Sequence, residues 1–503
     1  MKKLLKYAML CHRFLGIATC LFFGIWFVSG IVMMYARMPE LPESARLDHL
    51  APLNVVDQRV SPQQASGGST PLQRVILGML ERRPVYRILG QDGKWSVIYA
   101  DNGDSLQKIT PEKAIDLASE FSHTPRSHLH WVRELTDVDQ WTVYPSSRPY
   151  LPFELIASDD TAAAKYYVSA ATGSVYLVTT RGERLWAWCG AIPHWWYIRS
   201  LRANTPLWRI VMLVASGIGV TMAITGIVAG VLRYSPSRRY RFPDGKRSSV
   251  PHIGMKRWHY ILGYSFGLFT FTWIFSGLMT MNPGHWSPGP EATLVEEQAF
   301  AGGPLHTSLF KVDVKTVFSI LSGCTHPKEL ELLMINGKPY YLGRQDSKSM
   351  ALVSAGDERL PGCITQLPNR ELLAASRRLQ AGSHIQTETL LNSYDLYYYD
   401  RHFIKPLPVE RIQLDDSKKT LLYVNPRSGL IEARYTKESR LERWLYNGLH
   451  SLDFPYLYHH RPLWDITVII LSIGGLILSG TGIVLSIQYL AKPPKNHRGL
   501  RGM

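Results

Sequence analysis

Cysteine and acidic side chains are the scarce components of this 503-residue chain. Five cysteines cannot build a disulfide scaffold. Cys11 and Cys20 fall inside an apolar run, whereas Cys189, Cys324 and Cys363 lie outside the long apolar runs, and a bridge between Cys324 and Cys363 is open if those segments face an oxidising compartment. Asp and Glu number 40 against 56 Lys and Arg, a formal net charge of +16. No G-x-G-x-x-G opens a strand-to-helix turn, which excludes a dinucleotide-binding domain. No small-x-small cleavage site follows MKKLLK and the apolar run behind it, so the N-terminal stretch reads as an uncleaved anchor. The middles of the long apolar runs carry no charge, which leaves little for a permeation path.

What is present is a mixture. Hydrophobic residues make up 46% and charged residues 19% of the chain, a balance that fits membrane and soluble parts together. Four runs are long and apolar enough to cross a bilayer. The excess charge could mark a nucleic-acid partner, but its placement argues otherwise. Between Arg233 and Arg257 stand eight Lys or Arg residues against one acid, Asp244. Lys2, Lys3 and Lys6 precede the first run, and Lys492, Lys495, Arg498 and Arg501 follow the last. With four spans all three basic segments fall on one side, the positive-inside pattern, so no nucleic-acid partner is expected.

The expected organisation is a cytoplasmic N-terminus with the first span over 1–36, a first periplasmic domain over 37–205 and a second span over 206–233. A basic cytoplasmic loop follows over 234–258, then a third span over 259–281, a second periplasmic domain over 282–461, a fourth span over 462–489 and a cytoplasmic tail over 490–503. The membrane is then the inner, cytoplasmic one.

The first and third runs match without a gap. His12 falls on His259, Leu15-Gly16 on Leu262-Gly263, Trp26 on Trp273 and Ser29-Gly30 on Ser276-Gly277, at a constant offset of 247 residues. Hydrophobicity alone would not hold those residues in register, so the chain reads as an internal repeat. A second gapless match, at an offset of 256 residues, places Trp188 on Trp444, His194 on His450, Pro206-Leu207-Trp208 on Pro462-Leu463-Trp464, Gly219 on Gly475 and Thr225-Gly226 on Thr481-Gly482. Pro206 and Pro462 sit where they would start the return helices.

Within the first outer segment, Val85 to Asp104 reads as two strands about a Gln-Asp-Gly turn, with a looser copy from Tyr340. Thr110-Pro111 caps a helix, and strands are expected at Trp141–Val143 and Phe153–Ala157. A closing hairpin follows from Lys165, with a turn at Thr172-Gly173. PNRELLAASRRL and LLYVNPRSGLIEARY repeat the helix and hairpin in the second segment. A helix on an antiparallel sheet that ends in YYVSAATGSVY resembles the PepSY domain, at about 109–180 and again at about 368–436.

With the His-x-x-Leu-Gly openings His12–Gly16 and His259–Gly263, and with Leu449-His450 before the fourth span, the whole chain resembles the PepSY-associated transmembrane family. The first half departs from that pattern by having Pro193-His194. The resemblance implies an α+β membrane protein with four transmembrane helices in two tandem repeats, each carrying an extracytoplasmic PepSY-like domain. Inner-membrane ferrisiderophore reductases and other iron-regulated proteins belong to this family, and its characterised members resemble haem-containing reductases.

The residues themselves support a cofactor. Histidine in or near a bilayer usually faces a bundle interior, a water-filled cavity or a cofactor, and a helix bundle binds haem through imidazoles from facing helices. A single interfacial histidine is an ordinary polar anchor; four in register ask for more. His12 lies roughly 27 Å along its helix from Gly30, so one haem cannot serve both ends. Two haem b groups are expected, one between His12 and His259 and one between His194 and His450, attached non-covalently because no Cys-x-x-Cys-His occurs. Arg13 and Arg257 beside one pair, and Arg199, Arg202 and Arg461 beside the other, are candidates for haem propionates, although topology alone also calls for positive charge there. Trp26, Trp273, Trp186, Trp188, Trp195 and Trp196 read as interface anchors. His285, His306, His459 and His460 read as surface residues, and Gly226 with Gly230 as a helix-packing pair.

The function expected is electron transfer from a quinol or a cytoplasmic donor to a periplasmic acceptor, by resemblance a ferric siderophore. A membrane-anchored PepSY module that binds a partner or regulates a protease, and a small-molecule permease, are the competing classes.

Overall fold

The computed structural model describes residues 2–491 apart from 69, 357–361, 381–382 and 402. Most of the expected tail, with Lys492, Lys495, Arg498 and Arg501, lies outside the described residues. The chain divides into two compact units: one of residues 38–184 and 287–441, and one of the remaining segments with the four long apolar helices.

The first unit is built on strands. β1 (Leu72–Leu80), β2 (Arg83–Gly90) and β3 (Trp95–Tyr99) form one antiparallel meander. β4 (Leu129–Leu135), β5 (Phe153–Ser158), β6 (Lys165–Ser169) and β7 (Ser174–Thr179) form a four-stranded sheet in sequence order. β8 (Tyr240–Arg241) and β9 (Arg247–Ser248) belong to the other unit. β10 (Glu329–Ile335), β11 (Lys338–Arg344), β12 (Met350–Ser354) and the short β13 (Cys363–Ile364) form the second meander. β14 (Ile385–Leu391), β15 (Val409–Leu414), β16 (Leu421–Val424) and β17 (Ile431–Tyr435) form the second four-stranded sheet.

The two strand-rich segments, expected as separate periplasmic domains, share a sheet. β1 pairs antiparallel with β10, Ile76 opposite Glu331 and Leu77 opposite Leu330, so the meanders merge into seven strands ordered β13-β12-β11-β10-β1-β2-β3. Pairing satisfies backbone groups that two separate meanders would each leave on an open edge. One face of this sheet buries Val75, Leu77, Tyr86, Leu330, Leu332 and Tyr341 against the helix Val314–Ser322. On the other face each end is covered by a four-stranded sheet and its helix, Pro111–Ser122 in one half and Asn369–Arg377 in the other. Thr110 caps the first of these helices, its hydroxyl accepting from Lys113 N–H.

Gly173 (φ 62°) and Gly429 (φ 71°), at the closing turns of the two small sheets, rest on Leu80 and Ile335 of the large one. Both the left-handed backbone and the close approach exclude a side chain there. Between the two covered ends runs a buried ionic stripe. Glu331 lies 2.6 Å from both Arg74 and Arg344, and Glu329 lies 2.9 Å from Arg46. Cys324 and Cys363 are joined as a disulfide that ties the segment after Val314–Ser322 to β13.

Trp141–Val143, expected as a strand, is instead part of a turn. Asp139 Oδ1 accepts from the N–H groups of Trp141 and Thr142 and from the Thr142 hydroxyl, and its other oxygen accepts from the Tyr167 hydroxyl at 2.8 Å. Asp395 does the same in the second half, accepting from Tyr397 and Tyr398 N–H and from the Tyr423 hydroxyl. The local side-chain bonds compete with the ladder and win.

The second unit holds the helices Lys2–Met33, Thr205–Arg233, Gly254–Thr280 and Leu463–Leu490, each long and apolar enough to span. The first and third each pack against both the second and the fourth. The third begins at Gly254, five residues before the expected start, because Met255–Trp258 carry neither Gly nor Pro and extend the helix ahead of His259, which sits in its second turn. In the centre, Phe23, Phe27, Ala223 and Ile274 are buried together. Gly219 and Gly475 admit them: a Cβ on Gly219 would lie 2.9 Å from Ile274, and Gly475 faces the Phe27 ring.

Candidate functional site

Two pairs of histidines stand at opposite ends of the helix unit. His194 lies on the short helix Ala191–Trp195 and His450 on Leu449–Ser451, directly after a single π-helical turn, Trp444–Gly448. Both stand two residues before a left-handed residue, Trp196 (φ 53°) and Leu452 (φ 52°). Pro193-His194 thus ends in the same chain reversal as Leu449-His450. The return helices hold both segments in place: the indole N–H of Trp208 donates to Trp195 O, and that of Trp464 to Ser451 O, each at 2.8 Å. Trp26 adds a bond from its indole to His194 O at 3.1 Å.

The ring centres of His194 and His450 are 6.0 Å apart, with planes at 74°. Ser29 Oγ lies 3.1 Å from His194 Nδ1, and Ser276 Oγ lies 3.0 Å from His450 Nδ1, which also meets Trp273 O at 3.1 Å. Gly30 and Gly277 give each ring room to lie against a helix backbone. Burial first, and then the neighbouring His450, push His194 down to about 3, so this ring is neutral near pH 7.

His12 and His259 form the second pair, ring centres 6.1 Å apart and planes at 39°. His12 Nδ1 lies 2.9 Å from Met222 O, and His259 Nδ1 lies 2.9 Å from Thr481 Oγ1. A Cβ on Gly226 would lie 2.5 Å from His12 Cε1, and one on Gly482 would lie 3.6 Å from His259 Cε1. Gly226 therefore makes room for an imidazole and is not only a helix-packing residue.

These partners decide the tautomers. A carbonyl can only accept, so His12 and His450 carry their proton on Nδ1. The hydroxyls of Ser29 and Thr481 already donate to Ile25 O and Leu478 O, each at 2.7 Å, so they accept from His194 and His259. All four rings thus hold Nδ1–H toward the protein, which leaves the lone pair on Nε2, the nitrogen through which such an imidazole could ligate a metal. A metal lies about 2 Å from a ligating imidazole nitrogen and the ring centre about 1 Å further, so two rings opposed across one metal have centres about 6 Å apart. Both pairs have that separation. His12 and Ser29, which mark the two ends, are 17 residues apart on one helix, about 26 Å. Among the described residues no cluster of three or more His, Cys, Asp or Glu is present. Two facing imidazoles are what each end offers.

The family model for the PepSY-associated TM region matches residues 9–313. The chain belongs to this family. No curated protein matches the sequence.

Family membership and the four apolar helices make the chain a multi-pass membrane protein. In this PepSY-associated membrane protein the candidate arginines have varied surroundings. Arg461 is paired with Asp465, whose carboxylate also accepts from the Tyr35 hydroxyl at 2.9 Å. Arg257 donates to Ser248 Oγ at 3.0 Å and lies over the Phe242 ring, and Arg13 is exposed over Tyr489. Arg199 is exposed on the turn Arg199–Arg202. Arg202 is buried over the rings of Tyr197 and Trp208, 4.9 and 4.6 Å from their centres. His285, His459 and His460 are exposed, and His285 faces Arg209 at 3.0 Å.

Sequence reasoning missed the partners of the histidines, although the signal was in hand. Ser29, Gly30, Ser276, Gly277, Gly226, Thr481 and Gly482 all occupy matched positions of the repeat. Trp273, matched to Trp26, has its indole nitrogen buried with no partner among the described residues. A buried unpaired donor costs about 1–3 kcal/mol, and a bound group with acceptor atoms would satisfy it.

Proposed function

We propose that this protein is a transmembrane b-type haem electron-transfer protein that carries electrons from the cytoplasmic side to an oxidised acceptor outside, by family resemblance a ferric siderophore. The observation that carries the reading is the pair of bis-imidazole arrangements, each with ring centres 6.0–6.1 Å apart and each Nδ1 proton committed to the protein. His12 with His259, and His194 with His450, would each hold one haem. Bound haem supplies one-electron ferric/ferrous chemistry.

The chain's own residues do the rest. Ser29, Ser276, Thr481 and Met222 O orient the imidazoles and raise their basicity, and Phe23, Phe27, Ala223 and Ile274 keep the space between the two ends apolar. The basic segments support a cytoplasmic 234–253 and outer strand-rich segments. The Cys324–Cys363 disulfide agrees, because such bonds persist in oxidising compartments. An outer acceptor would be too bulky to enter the bundle and would be met at the His194/His450 end.

The test is an oxidised-minus-reduced optical spectrum of the purified protein with a haem assay. The expected result is a low-spin b-type spectrum with about two haems per chain. Protein without haem, after expression with haem supplied, would overturn the reading and leave the anchored PepSY module in its place. Ferric siderophores added in turn to the reduced protein test the acceptor. Reoxidation by none of them, with rapid reoxidation by another oxidant, would remove the siderophore and keep the electron path.

A further inference from the structure

Positive charge on a cytoplasmic loop is what topology demands, and charge alone needs no fold. The segment 234–253 has one. β8 and β9 pair, Tyr240 opposite Ser248 and Arg241 opposite Arg247. The Tyr240 hydroxyl donates to Arg233 O at 2.7 Å, Ser235 N–H donates to Ser249 O at 3.0 Å, and Arg257 donates to Ser248 Oγ. The hairpin is thereby pinned to the end of the second span and the start of the third.

Its exposed charged side chains are Arg238, Arg239, Arg241, Lys246 and Arg247, with Lys256 beyond, against a single exposed acid, Asp244. Lys246 stands near that acid, at 3.5 Å. The segment then runs through His252, whose ring centre is 6.3 Å from that of Tyr260, the residue after His259. A folded cationic face thus leads directly to the His12/His259 pair.

We propose that this hairpin is the docking face for a soluble electron-donor protein with an acidic surface, carrying a flavin or an iron–sulfur cluster. The proposal rests on the haem reading above. Each productive encounter oxidises the donor by one electron and reduces the site between His12 and His259 by one, with no proton passed to the chain. Fixed spacing distinguishes a protein partner from lipid: anionic headgroups are fluid and gather around any cluster of Lys and Arg, whereas a protein surface is recognised through charges held in register.

The experiment uses the full chain in nanodiscs of neutral phosphatidylcholine, with flavodoxin hydroquinone as the acidic probe and dithionite as a small reductant. Stopped-flow absorbance reads haem reduction. Reduction by flavodoxin is expected to slow steeply with added salt and to fall about tenfold or more in the Arg238→Glu/Arg241→Glu/Arg247→Glu variant, the size of a lost steering effect. Reduction by dithionite should be the same in both proteins, which shows that the variant is folded. Lys246→Glu alone should give a smaller loss in the same direction. Equal rates in wild type and variant, or rates indifferent to salt, would overturn the proposal. So would a loss seen only in discs containing phosphatidylglycerol, which assigns the face to headgroups, or efficient reduction by a quinol alone. If no haem is present the earlier reading fails instead, and flavodoxin binding to wild type and variant at low salt still decides the docking face.

Discussion

The two histidine pairs are built from matched positions, yet they are held differently. At the His194/His450 end both rings meet a serine, Ser29 or Ser276, both lie over a glycine, and their planes stand at 74°. At the His12/His259 end one ring meets the Met222 carbonyl and the other the Thr481 hydroxyl, and the planes stand at 39°. Thr225, matched to Thr481, turns back to its own helix and donates to Thr221 O and Met222 O. Thr481 also donates to its own helix, to Leu478 O, so what differs is that His12 Nδ1 meets the Met222 carbonyl where His259 Nδ1 meets a threonine hydroxyl. A repeat preserves the ligand more strictly than the means of holding it.

Removing one pair while the other survives is the largest test of that difference. His259→Ala and His194→Ala are each expected to lower haem content from about two to about one per chain, measured by pyridine haemochrome. The surviving ferric signals should differ in electron paramagnetic resonance, because the mutual rotation of the imidazole planes sets the anisotropy of a low-spin centre. The pair at 74° should give the more anisotropic signal and the pair at 39° the more rhombic one. Identical residual signals would make the two ends equivalent.

A smaller effect separates the two glycines of the His12/His259 pair. Gly226→Ala forces the His12 ring aside at a cost of about 1–3 kcal/mol, roughly a tenfold to hundredfold loss of haem affinity at that end. Gly482→Ala should titrate close to wild type, since its Cβ would stay 3.6 Å away. Comparable losses from both would show that the crowding at Gly226 relaxes without consequence.

Smaller again is the loss of one orienting hydroxyl. Ser29→Ala should weaken haem binding about tenfold and shift the midpoint potential of the His194/His450 end, with Ser29→Thr restoring both. Ser276→Ala should do less, because Trp273 O still receives the His450 proton. Equal effects would remove the carbonyl from the account.

The smallest effect on either pair comes from acid acting on the strand-rich unit. Burial would raise the Glu331 carboxyl, but Arg74 and Arg344 hold it down to about 2 from an ordinary 4.5. A depressed carboxyl contributes stability that is fully present above the ordinary value and is lost as pH falls toward 2, here about 3 kcal/mol. Hydrogen exchange of β1, β10 and β11 should follow that fall, and Glu331→Gln should abolish most of its pH dependence.

The four helices and the repeat register of the histidines, serines and glycines were legible in the chain, because apolar length and fixed spacing survive translation into one dimension, whereas the contact of those serines and glycines with the imidazoles was not. Also legible were the helix at Thr110-Pro111 and the closing hairpins, whose caps and turns are local. β1 and β10 were not. Glu329 and Glu331 alternate with leucines as they would on a strand with one wet face, yet the structure buries them against Arg46, Arg74 and Arg344. No local pattern announces that two charged faces from distant segments will neutralise each other. The sequence by itself determined which segments are apolar helices and which residue types stand in register at their ends. Only the tertiary structure decided that the two strand-rich halves share one sheet and that each imidazole proton points into the protein, because both depend on what a residue meets more than a hundred positions away.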